Sequence, residues 1–124
     1  MDGSTNKHIL IVDDEPGIVK FLKLKLEIAG FKVITSNSGQ EALKLIENDM
    51  PDIMLLDIFM PGMDGFEVLR ELRKHSNLPV IVLSARSSIA EQALSLGAND
   101  FIAQPFNQEE VIKRIKAVLN GHQL

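Results

Sequence analysis

Three aspartates are placed where they could do chemistry together. Asp13 and Asp14 close the apolar run His8-Ile-Leu-Ile-Val12, and Asp57 closes the run Ile53-Met-Leu-Leu56. Three carboxylates within a few ångströms repel, so one must take a proton or a cation must neutralise them. Every candidate ligand is an oxygen, which suits Mg²⁺ better than zinc or copper. Asp14 and Asp57 are expected to bind directly, and Asp13 directly or through a water. The backbone carbonyl of Phe59, just past Asp57, can complete the set. A carboxylate so neutralised can attack a phosphoryl group and form an acyl phosphate. Ser84, at the end of another apolar run, is placed to bond a phosphoryl oxygen. A cation would usefully complete the shell on the neighbouring strand, but Gln104 stands there and is neutral.

The elements that must position these residues are legible in outline. Short apolar runs without alternation suggest strands buried on both faces, as in parallel sheets. His8–Val12, Lys32–Thr35, Ile53–Asp57, Val80–Leu83 and Asp100–Ala103 read as five strands. Five helical patterns alternate with them. Pro16 suits the first turn of the first helix, with Gly30 at its end. Ser38 and Glu41 have the spacing of a capping box. Gly65 to His75, with Phe66, Leu69 and Leu72 along one side, reads as the third helix. A short helix ends at Leu96 before Gly97. The last begins after Asn107, with Val111, Ile112, Ile115, Val118 and Leu119 inward. Strands alternating with helices imply an α/β doubly wound parallel sheet with sites at the carboxyl ends of its strands. Asp13, Asp14, Asp57, Ser84 and Gln104 all fall at such ends.

Bulk properties narrow the function. The 124 residues suit one domain; the net charge of −4 argues against an unaided nucleic-acid surface, so no direct nucleic-acid binding is expected. There is no cysteine, hence no disulfide or thiolate site, and no apolar stretch long enough for a membrane span. A cytoplasmic setting is the expectation. Residues 1–6 are polar and expected to be flexible, 7–120 form the domain, and 121–124 form a tail. An aspartate-nucleophile phosphatase would need a second Asp two residues after Asp57, where Phe59 stands. No Gly-x-Gly-x-x-Gly or P-loop sequence is present, and His8, His75 and His122 form no metal-spaced cluster. An enzyme is therefore not expected.

The motifs Ile-Val-Asp13-Asp14-Glu15, Leu-Leu-Asp57 with Met60-Pro-Gly-Met-Asp-Gly65, Leu83-Ser84-Ala85 and Pro105-Phe106 together resemble the receiver domain of bacterial two-component response regulators, over about residues 7 to 120. The resemblance implies five strands in the order 2-1-3-4-5, a flavodoxin-like arrangement. It makes Asp57 the acceptor of a phosphoryl group from a histidine kinase, with Mg²⁺ held by Asp13 and Asp14. Ser84 takes the place of the family's switch hydroxyl and Phe101 that of its switch aromatic. A downstream effector domain or protein is the implied output partner. Two departures stand out. Gln104 replaces the usual lysine, and only twelve residues, 85 to 96, separate Ser84 from Gly97, about two fewer than usual. Both favour the alternative reading, a degenerate receiver that binds partners regardless of phosphorylation. Phe59 and Arg86 occupy positions that tune phosphoryl lifetime in the family; Arg86 reads either as a solvated loop arginine or as a partial replacement for the missing charge. Asp100, Glu110, Arg114 and Lys116 match a pattern used for homodimers through helix four, strand five and helix five, but Ala90, Ser95 and Leu96 lack its complementary charges. A weak homodimer there is the most these residues allow.

Overall fold

In the computed structural model, which describes residues 7–121, strands and helices alternate along the chain. The order is β1 (His8–Val12), α1 (Pro16–Ile28), β2 (Lys32–Ser36), α2 (Gly39–Asn48), β3 (Ile53–Asp57), α3 (Gly65–Arg73), β4 (Val80–Ser84), α4 (Ala90–Ser95), β5 (Asp100–Ala103) and α5 (Gln108–Leu119). A single turn of 3₁₀ helix, Ser87–Ile89, leads into α4. All strand pairs are parallel and the order is β2-β1-β3-β4-β5, as the family resemblance implies. The expected loose N-terminal segment and residues 122–124 of the tail lie outside the described residues.

Two apolar layers sandwich the sheet because successive side chains on a strand point to opposite faces. Ile9, Ile11, Ile53, Leu55, Ile81, Leu83 and Ile102 pack against Leu22, Leu26, Val111 and Ile115 of α1 and α5. Leu10, Val12, Met54, Leu56, Val80 and Val82 pack against Ala42, Ile46, Val68, Leu69, Leu72 and Ala93 of α2, α3 and α4. Each fully buried Leu or Ile contributes roughly 1.5–3 kcal/mol. That double burial is why the central strands carry no polar alternation.

Asp13 follows the row of Ile9 and Ile11, and Asp57 follows that of Ile53 and Leu55. The pairing of Ile11 with Leu55 holds those rows side by side. The pleat therefore sends both carboxylates to the α1 and α5 side. They are where the apolar layer stops and polar side chains begin.

Several local details differ from the sequence reading. Helix α3 ends at Arg73 rather than His75, and Val68 rather than Phe66 completes its buried side. Ser38 caps α2 by accepting from the Glu41 N–H at 3.1 Å, but the box does not close. Glu41 instead accepts a hydrogen bond from the buried Ser36 hydroxyl, 2.8 Å away. Asp64 and Glu67 do form a complete box at the start of α3. Ala29 caps α1, with Gly30 one step beyond at φ 102°.

Gly65 fixes the height of α3 against the end of β3. Its N–H donates to the Ile58 carbonyl at 2.8 Å. A Cβ at this position would lie 2.5 Å from the Asp57 carbonyl oxygen and 2.7 Å from the Ile58 Cα. Gly65→Ala should therefore destabilise the fold by about 1–3 kcal/mol through overpacking. It should also shift the backbone amide resonances of Asp57 to Phe59. Urea unfolding together with an amide spectrum checks both, and unchanged stability with an unchanged spectrum would count against the close approach.

Candidate functional site

The three aspartates meet at the carboxyl edge of the sheet. One carboxylate oxygen from each of Asp13, Asp14 and Asp57 lies within 4.8 Å of the others. Asp13 is buried, Asp57 is half-buried and Asp14 is exposed. Asp13 comes from the loop that opens α1, where its carboxylate accepts the Glu15 N–H at 2.9 Å. Its main-chain N–H is held by the Ser36 carbonyl at 3.1 Å. The site is thus built on strand ends rather than on mobile loop tips.

Electrostatic cost is visible in the acid constants. Burial pushes the Asp57 carboxyl up to about 7, and the neighbouring charges of Asp13 and Asp14 add to this. Main-chain N–H groups of Phe59 and Ile58 pull the other way without compensating. Burial likewise raises Asp13, helped by Asp14 and Glu15 and opposed mainly by the bond from the Glu15 N–H. Ionised oxygens that crowd and are partly dehydrated are the donor set a small hard cation neutralises. The chemistry and spacing of these residues therefore fit Mg²⁺. The Phe59 carbonyl accepts no hydrogen bond among those described, whereas the Ile58 carbonyl takes two, from Met60 and Gly65.

The other predicted residues fall around this cluster. Ser84 ends β4, nearly fully buried, and its hydroxyl oxygen accepts the Arg86 N–H at 3.1 Å. The hydroxyl hydrogen is left to donate. Gln104 directly follows β5. Its N–H donates to the Ser84 carbonyl at 2.8 Å. The residue is among those lining a groove of about 300 Å³ with Glu15, Ile18, Phe21 and Phe106. No described hydrogen bond joins its amide to Asp57. Phe101 is half-buried against the apolar layer beneath α4. The Arg86 guanidinium lies over the Phe59 ring, 4.7 Å from its centre.

Two contacts have little signal in the sequence. The polar cleft beside the aspartates, about 340 Å³, takes Ser36 from the end of β2, Asn37 from the loop after it and Glu41 from the first turn of α2. Arg73, at the end of α3, donates to the Gly97 carbonyl through Nε at 3.1 Å and to Asn99 Oδ1 at 3.2 Å. Asn99 Oδ1 in turn accepts the Val80 N–H at 2.9 Å. This clamp ties the loop after α4 to the start of β4.

A doubly wound sheet with an acidic, cation-suited pocket at its carboxyl edge defines a class, and comparison with known proteins gives the family. Residues 9–116 match the family model of the response regulator receiver domain, so the chain belongs to that family. It is 41% identical over 122 residues to the alkaline phosphatase synthesis transcriptional regulatory protein PhoP of Bacillus subtilis, covering 96% of this chain and 51% of that protein. It is 44% identical over 121 residues to the probable transcriptional regulator ycf27 of Guillardia theta, covering 96% and 48%. The chain thus spans about half the length of these curated relatives. Among solved structures, the receiver domain of the Francisella response regulator 1452 superposes with a TM-score of 0.88 at 34% identity, covering 94% of this chain and 98% of that one. TrrA of Thermotoga maritima, solved in complex with Mg²⁺ and BeF, gives 0.84 at 37%, covering 90% and 98%.

The raised pKa of Asp57 has a measurable consequence. In the folded state Asp57 takes its proton near pH 7; in the unfolded chain it does so near 3.8. Without metal, the protein should gain stability from this group as pH falls from about 7 toward 4, and lose it as pH rises. Asp57→Asn should then stabilise the metal-free protein at about pH 8 by about 1–2 kcal/mol, a figure already reduced for solvent screening at a half-buried group. Its advantage should shrink toward pH 4. Urea midpoints in chelator at both pH values test this; an advantage independent of pH would contradict it.

Proposed function

We propose that this receiver domain accepts a phosphoryl group on Asp57 from a phosphohistidine of a histidine kinase and changes its partner contacts in response. The convergence of the Asp13, Asp14 and Asp57 carboxylates within 4.8 Å carries the reading. An Asp57 oxygen attacks phosphorus and forms the new P–O bond. The P–N bond of the donor breaks, and its electron pair stays on the imidazole, which takes up a proton. The product is an acyl phosphate. Asp13, Asp14, Asp57 and the Phe59 carbonyl would hold Mg²⁺, whose chemistry there is to neutralise the carboxylates and the incoming phosphoryl oxygens.

The chain's own residues supply the rest. The Phe59 and Ile58 N–H groups orient the Asp57 carboxylate. Ser84, with its oxygen tied to the Arg86 N–H, keeps its hydrogen to donate to a phosphoryl oxygen. A turn of Ser84 toward that oxygen would open space at the end of β4, and Phe101 lies on the next strand to respond. The output partner is an effector domain or protein, and the setting is cytoplasmic; curated relatives of about twice this length are named as transcriptional regulators. A homodimer through α4, β5 and α5 would compete with internal pairs. Arg114 binds both Asp100 oxygens at 2.9 Å and Glu110 at 3.2 Å within its own chain.

A degenerate interaction module is the weaker reading. It draws on Gln104 and on the six-residue α4. Against it stands a pocket whose three acids converge at a standing electrostatic cost, with a buried hydroxyl on the next strand. Intact mass after treatment with Mg²⁺ and acetyl phosphate should show one added phosphoryl group. The gain should be lost with chelator and absent in Asp57→Asn. No gain in the wild-type protein with excess donor would overturn the proposal.

A further inference from the structure

The loops at the carboxyl edge of the sheet cover residues 13–15, 37–38, 58–64, 85–86 and 104–107. Within them stand Asp13, Asp14, Glu15 and Asp64, with Asp57 at the strand end beneath. Against these acids there is one cation, Arg86. A phosphoryl group would add a charge of about −1.5 to −2. Even with a divalent cation bound, the pocket would stay net negative. Gln104 brings no charge, and no described hydrogen bond joins its amide to Asp57.

Arg86 is held close by its backbone and left unpaired at its head. Its N–H is fixed on the Ser84 hydroxyl oxygen at 3.1 Å, so its Cα cannot drift from the pocket. Its guanidinium makes no ion pair among those described. It rests on the ring of Phe59, two residues beyond Asp57. Phe59 is 45% exposed, so the stack bridges the loops after β3 and β4 in contact with water. A cation on an exposed aromatic face is held weakly, whereas an Arg–phosphate bond is charge-assisted and frequently bidentate.

Resting on the phosphoacceptor reading, we propose that Arg86 supplies the cation that the fifth strand lacks. Its guanidinium leaves the Phe59 ring and binds the phosphoryl oxygens when Asp57 is modified. The Phe59 ring is its resting place in the free protein. The movement of one side chain thereby alters the surface of the loop that leads into α4. Arg86 makes and breaks no covalent bond in this scheme; it orients and neutralises.

The test is a cycle of variants on the full chain, with acetyl phosphate and Mg²⁺ and the phosphoryl gain followed by intact mass. Arg86→Ala should slow the gain about tenfold when Gln104 is present. In a Gln104→Lys background the same change should cost about twofold or less, because a second cation then serves the oxygens. Arg86→Lys should keep most of the rate while losing the planar stack. Independently, the Arg86 side-chain methylene protons should show the upfield ring-current shift of Phe59 in the free protein. That shift should vanish with Mg²⁺ and beryllofluoride, and persist under the same conditions in Asp57→Asn. Equal costs of Arg86→Ala in both backgrounds, or a ring-current shift that survives analogue binding, would overturn the role of Arg86 while leaving Asp57 as acceptor. A wild-type chain that takes no phosphoryl group would overturn both.

Discussion

Crowding of carboxylates at the edge of a buried sheet is the constraint on which the rest depends. Asp13 and Asp57 continue two apolar rows, so they share the low dielectric of the layer beneath them. Asp14 adds a third charge from the rim. A fold that merely sought stability would put neutral side chains there, since unpaired buried charge costs several kcal/mol. The cost is tolerated because the flanking rows are so uniformly apolar. Ile9, Ile11, Ile53 and Leu55 are at most 1% exposed, and their burial offsets the strain above them. The arrangement is poised: it can be relieved by a proton or by a cation.

That poise also explains the architecture of the neighbouring loops. Each contributes backbone N–H or hydroxyl groups in a fixed position and leaves few side chains to chance. Glu15 N–H steadies Asp13, Gly65 brings α3 down onto the end of β3, and Ser84 is pinned by the Arg86 N–H. Rigid placement matters because phosphoryl transfer asks mainly for alignment and charge neutralisation. The contrast is the segment after Ser84. There the chain passes through a 3₁₀ turn with no side-chain cap and then a helix of six residues, also uncapped. Its far end is fastened by Arg73 to the Gly97 carbonyl. Local freedom is thus concentrated on the side of α4 that adjoins the pocket.

The sequence carried much of this and lost the rest for identifiable reasons. Strand positions were legible because central parallel strands must be apolar on both faces. The aspartates were legible because polar residues abruptly end such runs. The Asp64 and Glu67 box has a readable signal, an acid followed three residues later by Glu before an apolar pattern. The box at Ser38 was overread, since Glu41 found a better partner in Ser36, a residue the sequence reading placed beyond the strand. Helix α3 was drawn two residues too long because periodicity does not mark where Arg73 turns away to reach Gly97. Contacts such as Arg73 with Asn99 or Arg86 with Phe59 join residues 26 and 27 positions apart, and no local pattern encodes them.

Gln104 illustrates why a substitution must be weighed in its surroundings. On sequence alone, an amide in place of a cation reads as a weakened hydrogen bond in the same direction. In the fold, no described hydrogen bond joins its amide to Asp57, and the residue borders a groove beside α1 with Ile18, Phe21 and Phe106. The charge deficit is then felt at the pocket, where Arg86 is the single cation among the edge loops. The side chain placed to answer that deficit stands on the loop after the fourth strand, where its own N–H is already fixed on the Ser84 hydroxyl oxygen.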